Sequence, residues 1–237
     1  GGTTKQTAGQ IGDEGDAITL TGKLTQDGGV LNADTLAANG GAKVAGTVTA
    51  ATSVAAPSKD IEVTSAGSLT APTVTAANLK TAGVVTAVTR IGANVEQTAG
   101  TLNAGDVEGT TFKQTGGTAT LTGTLTAAVD QDAGTLGAAA VVGNVDQDGG
   151  TMTVSGAITG DVDQKGTASD SLTAALISGN VTQESGNAAT VTTASIGGNL
   201  EQNGGAVVAQ GDALEVTGTT TQNAGQIGDA GDAITLN

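Results

Sequence analysis

The sequence predicts an all-β protein, a parallel β-solenoid of about twelve coils with a mean of 18 residues per coil. Three observations predict it. A phrase of apolar-x-Gln followed by a short Gly turn returns along most of the chain, as in Val145-Asp-Gln147 and Val162-Asp-Gln164. Val, Leu and Ile alternate with Thr, Asp and Glu at period two, the period of a pleated strand. Bulky core residues are almost missing: Phe112 is the one aromatic and Met152 the one methionine. A chain of this kind either stays disordered or buries small side chains in thin, regular layers, and the alternation selects the second.

Taken in order, the Gln anchors begin at Gln6 and Gln26. The next three coils are degenerate; Lys43, Val63 and Thr81 are aligned to the anchor position there. Gln97, Gln114, Gln131, Gln147, Gln164, Gln183, Gln202 and Gln222 follow, so twelve steps cover 216 residues. Variable turn lengths and the rule for parallel crossovers favour a right-handed winding. No capping helix is visible at either end. The whole of 1–237 reads as one array, with residues 36–90 as the stretch lacking the anchor.

Each coil is expected to hold three short strands. In one of them Val145 and Gln147 point inward, a Gly149-Gly150 turn follows, Met152 and Val154 point inward, the chain bends at Ser155-Gly156, and Ile158 points inward. Four apolar side chains cannot offset the entropy of ordering 18 residues, so a coil persists only with neighbours above and below. The recurring Gln lies on the inward phase. Either its amides stack in register as a ladder, or each Gln bonds the backbone of its own turn. Both roles are structural.

Pro57 and Pro72 fall in the degenerate stretch and belong in turns, because proline gives no donor to a sheet. Arg90, Lys59 and Lys80 also lie there. That stretch is either a drifted repeat or a lateral contact surface.

The two ends match. Residues 8–20 read AGQIGDEGDAITL and residues 224–236 read AGQIGDAGDAITL, twelve of thirteen identical at an offset of 216. The offset implies a super-repeat or end coils made for head-to-tail stacking. Both readings lead to a fibre whose subunits contact copies of themselves, end to end and along their sides. The chain begins at Gly1, which suggests a processed product or a segment of something longer.

Net charge is 8 − 23 = −15, which disfavours nucleic acid and anionic lipid as partners. No run approaches the roughly 20 apolar residues of a membrane span. There is no cysteine to form disulfides. Asp13, Glu14 and Asp16, with Asp229 and Asp232, sit in Gly turns similar to those of calcium-binding β-rolls, but the nine-residue period is absent. Calcium is therefore an open question, and no other cofactor is implied. Catalysis is not expected, since His, Cys, Tyr and Trp are all missing. The acids Glu62, Glu96, Asp130, Asp146, Asp163 and Glu201 fall on outward positions, as a stripe of one per coil. Outward threonines such as those of TLTGTLT at 120–126 also suit an ice-binding face or simply an exposed strand.

In its coil phrasing (GNVDQDGGTMTVSG, GNLEQNGGAVV, GTLTAAVDQDAGTL) the chain resembles the filamentous-haemagglutinin-like and autotransporter-passenger β-helices of bacterial surface exoproteins. That resemblance implies secretion, an extracellular or cell-surface location, and duty as a surface filament or adhesin with a cell-surface or matrix ligand. The rivals are a calcium-dependent β-roll adhesin, a polysaccharide-active β-helix enzyme and an ice-binding solenoid.

Overall fold

The computed structural model describes residues 2–184, 186 and 188–237. It divides into two compact units, Gly1–Thr122 and Gly123–Asn237. Each is a parallel β-solenoid, and no helix occurs among the described residues. In the first unit the anchor position is occupied in turn by Gln6, Gln26, Val44, Val63, Thr81, Gln97 and Gln114. In the second it is occupied by Gln131, Gln147, Gln164, Gln183, Gln202 and Gln222. The assignment of Lys43 to this position is corrected by one residue. Gln26 pairs with Val44, and Lys43 pairs with Thr25 on the outward phase. The turn after Val44 is shorter than a Gln-x-x-Gly turn, and that shortening shifts the alignment.

The core is a set of columns, each made by one residue position repeated from coil to coil. In the first unit the first strand contributes Leu24, Ala42, Ile61, Leu79, Val95 and Phe112, all buried. The second strand contributes Leu31, Val48, Leu69, Val85 and Leu102. In the second unit the third strand stacks Val141, Ile158, Ile177, Ile196 and Val216. Leu lies on Val and Val on Ile because parallel coils about 4.8 Å apart bring like positions into contact. The narrow cross-section explains the lack of aromatics. The one that is present, Phe112, is fully buried and registers on Val95.

The coil around Met152 follows the sequence pattern. Val145, Gln147, Met152, Val154 and Ile158 are buried and Asp146 and Thr153 exposed. Its second and third strands run together as Thr151–Ile158, with a register shift between Val154 and Ala157 at the place of the predicted bend. Pro57 lies in a turn and Pro72 in a bend.

Corners set the glycine demand. Gly150, three residues after Gln147, has φ +83, and a Cβ there would collide with the carbonyl oxygen of Gly134 on the adjacent coil. Gly15 has φ +98 but open space around it. Left-handed backbone costs an L-residue about 1–2 kcal/mol. Gly15→Ala should lose about that much in denaturant unfolding, and Gly150→Ala more, because it also pushes two coils apart.

Candidate functional site

The feature repeated most faithfully is the buried amide row. Gln26, Gln97, Gln114, Gln131, Gln147, Gln164, Gln183 and Gln202 have no exposed surface, and Gln6 is 4 % exposed. In the second unit four Nε2 groups donate to the Oε1 of the Gln one coil earlier: Gln147 to Gln131 at 3.0 Å, Gln164 to Gln147 at 2.9 Å, Gln183 to Gln164 at 2.8 Å and Gln202 to Gln183 at 3.1 Å. The first unit has two such pairs, Gln26 to Gln6 at 3.0 Å and Gln114 to Gln97 at 3.1 Å. Amides of the row also reach forward. Gln147 Nε2 donates to the Ser171 carbonyl of the following coil at 3.0 Å and lies 3.3 Å from the Gly150 carbonyl of its own turn. The two structural roles expected for Gln thus coexist in one side chain.

The row ends or breaks where its neighbour changes. Gln26 Oε1 is buried without a partner because Val44 holds the next place and has no donor. Gln202 Oε1 is likewise unpartnered. Gln222 pairs with Gln202 in backbone register, but its side chain is exposed and donates to the Gly225 carbonyl of its own turn, at 3.1 Å. Gln222 is therefore a member of the row by position but not by bonding.

A second polar row runs beside the first and has no anchor phrase of its own in the sequence. The residue just before the first strand accepts, through its side-chain oxygen, the backbone N–H of its counterpart one coil later. Asn144 accepts from Asp161 at 3.0 Å, Asp161 from Asn180 at 2.7 Å, Asn180 from Asn199 at 2.8 Å, and Asn199 from Thr219 at 2.8 Å. The signal that could have found it is Gly-Asn or Gly-Asp ahead of Val or Leu. In the first unit, Asn78 bonds Asp60 at 2.7 Å, and Asn94 accepts from Thr110 N–H at 2.9 Å.

The candidate calcium carboxylates hold turns. Asp16 Oδ2 accepts from Asp13 N–H at 2.9 Å, and Asp13 Oδ1 accepts from Gln10 Nε2 at 2.7 Å. The other end is built the same way, with Asp232 accepting from Asp229 N–H at 2.7 Å and Asp229 from Gln226 Nε2 at 2.7 Å. Glu14 is exposed, and its counterpart at the other end is Ala230. Among the described residues no group of three His, Cys, Asp or Glu is arranged to hold a metal ion.

The acidic stripe takes two forms. In the first unit lysines interleave with the acids: Lys43, Glu62, Lys80, Glu96 and Lys113 follow one another in register. Lys43 pairs with Glu62 at 2.9 Å and Lys80 with Glu96 at 3.2 Å. Arg90 pairs with Glu108 at 2.8 Å. In the second unit Asp130, Asp146 and Asp163 stack like on like, a repulsive arrangement. Lys165 answers it, 3.0 Å from Asp146, 3.3 Å from Asp163 and 3.6 Å from Asp148. The hydrogen bond to Asp146 raises the Lys165 pKa above its ordinary value; burial opposes the rise, and the charge of Asp163 adds to it.

Asp170 ties a turn to the coil before it. Its carboxylate accepts from Thr167 N–H at 2.6 Å, Thr167 Oγ1 at 2.7 Å and Gly150 N–H at 2.8 Å. Burial alone would push this carboxyl up, but the bonds from Thr167 and Gly150 override it and hold the carboxyl below its ordinary range.

The outward rows of the second strand mix residue types. In the first unit one runs Val30, Thr47, Ser68, Val84, Thr101 and Thr118. A shallow groove on the same unit is lined by residues that include Asp60, Asn78, Lys80, Asn94 and Glu96.

These features define a class, the parallel β-solenoid with an internal amide row. Comparison with protein-family models, with characterised proteins and with solved structures finds no match to the chain.

Three outcomes follow from this geometry. Gln147→Leu takes a donor away from Gln131 Oε1 and from the Ser171 carbonyl, and should cost about 1–3 kcal/mol in denaturant unfolding. Gln222→Leu, at an exposed position, should stay within about 0.5 kcal/mol. The folded-state pKa of Asp170 is depressed, so its contribution is present above the unfolded value of about 3.9 and fades as pH falls through the folded one. Asp170→Asn should accordingly be less stable than the native chain at pH 7, with the gap closing as both are acidified below about pH 4.

Proposed function

We propose that this chain is an extracellular structural protein, a subunit or repeat segment of a surface filament or adhesin stalk that associates end to end. The observation that carries the reading is the match between the two end coils. Residues 8–20 and 224–236 share sequence, and they also share the same turn bonds from Gln10 and Gln226 and from Asp16 and Asp232. A coil used twice, twelve coils apart, is a joint that repeats.

Several features support it. The net charge of −15 keeps such subunits soluble and sets them apart laterally at low ionic strength. The resemblance to bacterial exoprotein β-helices points the same way for location and duty. Self-association here is a matter of backbone pairing and column packing.

The test is assembly of the purified 237-residue chain. Light scattering should rise with concentration, and electron microscopy should show unbranched fibres. A chain that stays monomeric at hundreds of micromolar, at low and at moderate salt, would overturn the proposal.

A further inference from the structure

The charges of this chain are divided unevenly. Seven of the eight cations fall in the first unit against ten acids, 7 − 10 = −3, while the second unit sets Lys165 alone against thirteen, 1 − 13 = −12. The division is sharpest on the outer side of the first strands.

On the first unit Lys23 stands just before the strand Leu24–Gln26. Lys59 stands just before Asp60 and Ile61, two coils further on and roughly 10 Å along the axis. The coil between them supplies Gly40 and Gly41. A Cβ on Gly40 would collide with the Gly22 backbone of the preceding coil, so this floor stays bare. A recess of about 360 Å³ results, with Lys23, Lys59 and Lys80 among its walls. Its two acids are engaged: Asp60 accepts from Asn78 at 2.7 Å and Glu62 from Lys43 at 2.9 Å. Lys80 pairs with Glu96 at 3.2 Å. Lys23 and Lys59 are exposed and form no ion pair among the described residues.

On the second unit the same side carries the opposite sign. Asp130, Asp146 and Asp163 stand in register there. Lys165 is one ammonium among three carboxylates, those of Asp146, Asp148 and Asp163, so the group stays negative. Asp146 and Asp148 are exposed. Every coil repeats at the same rise, so acids two coils apart match the spacing of the two lysines. Surfaces of opposite sign and equal pitch fit one occupant, a second copy of this chain.

We infer that the lysine recess of one copy docks laterally on the aspartate column of another. This goes beyond end-to-end joining and does not depend on it. Charge complementarity selects the faces and fixes their register. The net charge of −15 opposes the approach of two copies, but beyond about 10 Å that repulsion is screened at 0.1 M salt, while pairs in contact are screened less. Lateral pairing is therefore strongest near 0.1 M salt and is lost near 1 M, where the screening length falls to about 3 Å.

Carbodiimide coupling tests it, because it joins a lysine to a carboxylate only where the two touch. Two isotopically distinct preparations of the full chain are mixed at about 0.1 M salt, and the linked peptides are read by mass spectrometry. Links between differently labelled copies should run from Lys23 or Lys59 to the acids of 130–163; their absence, or links that avoid these lysines, would overturn the docking. Charge reversal gives a second reading by sedimentation. Lys23→Glu with Lys59→Glu, and Asp146→Lys with Asp148→Lys, should keep the native melting temperature. Each double variant alone should lose lateral association, and an equal mixture of the two should regain it. A mixture that stays apart sinks the inference. So does a polyuronate that fills the recess while native copies remain separate, which would assign these lysines to an acidic glycan. End-to-end fibres of the lysine variant should persist as single strands, so the loss of lateral pairing and the failure of the filament reading are separate results.

Discussion

The governing constraint is that every position in a coil meets its own counterpart in the next. Parallel stacking at about 4.8 Å brings like onto like, so each column must hold a residue that tolerates itself as a neighbour. Aliphatic side chains meet this condition easily, as the column from Val141 through Ile158, Ile177 and Ile196 to Val216 does. A buried polar residue meets it only if it is both donor and acceptor. A carboxamide is both, a carboxylate is not, and a hydroxyl is too short to span the gap while also reaching a turn. That is why Gln recurs inside the stack while Asp and Glu stay outside it.

The same rule explains the exceptions. Val44 and Val63 replace the amide with an aliphatic group, which removes the need for bonding at their own level but leaves Gln26 Oε1 orphaned at the boundary. An outward column of like charges breaks the rule, and the two units resolve it differently. The first alternates Lys43, Glu62, Lys80 and Glu96 in the column itself. The second keeps three aspartates in register and sets Lys165 against two of them, Asp146 and Asp163. Exposed ion pairs contribute about 0–1 kcal/mol each, so these arrangements remove a penalty more than they supply a driving force.

The period is legible in the sequence for the reason just given: a column constraint writes the same residue at each turn. Gln stands out because few other residues can occupy its place, and its turn adds a Gly three residues on, as in Gln147 and Gly150. Alternation alone places Met152, Val154 and Ile158 inward, and all three are buried. Legibility fails where the constraint loosens. With no amide to align on, Lys43 falls where Val44 belongs, since period two allows a slip whenever a turn changes length. The Asn144, Asp161, Asn180 and Asn199 row escapes pattern reading because its position demands only an acceptor oxygen, which several residue types supply. The exposure of Gln222 is a property of its neighbourhood, and no local pattern encodes it.

Both polar rows also carry a direction. In the second unit every step of the amide row runs from Nε2 of the later coil to Oε1 of the earlier one. The Asn row runs the same way, from the backbone N–H of the later coil to the side-chain oxygen of the earlier. Within these two rows each coil therefore differs front from back: the side-chain oxygens face the later coil, and the Nε2 and backbone N–H groups that meet them face the earlier one. The amides also donate forward to backbone carbonyls, as Gln147 does to Ser171, so donors are not confined to one face. The sense of the rows lies in which group each oxygen meets, and an oxygen that loses that group, as Gln26 Oε1 does beside Val44, is left buried and unpaired at a cost of about 1–3 kcal/mol.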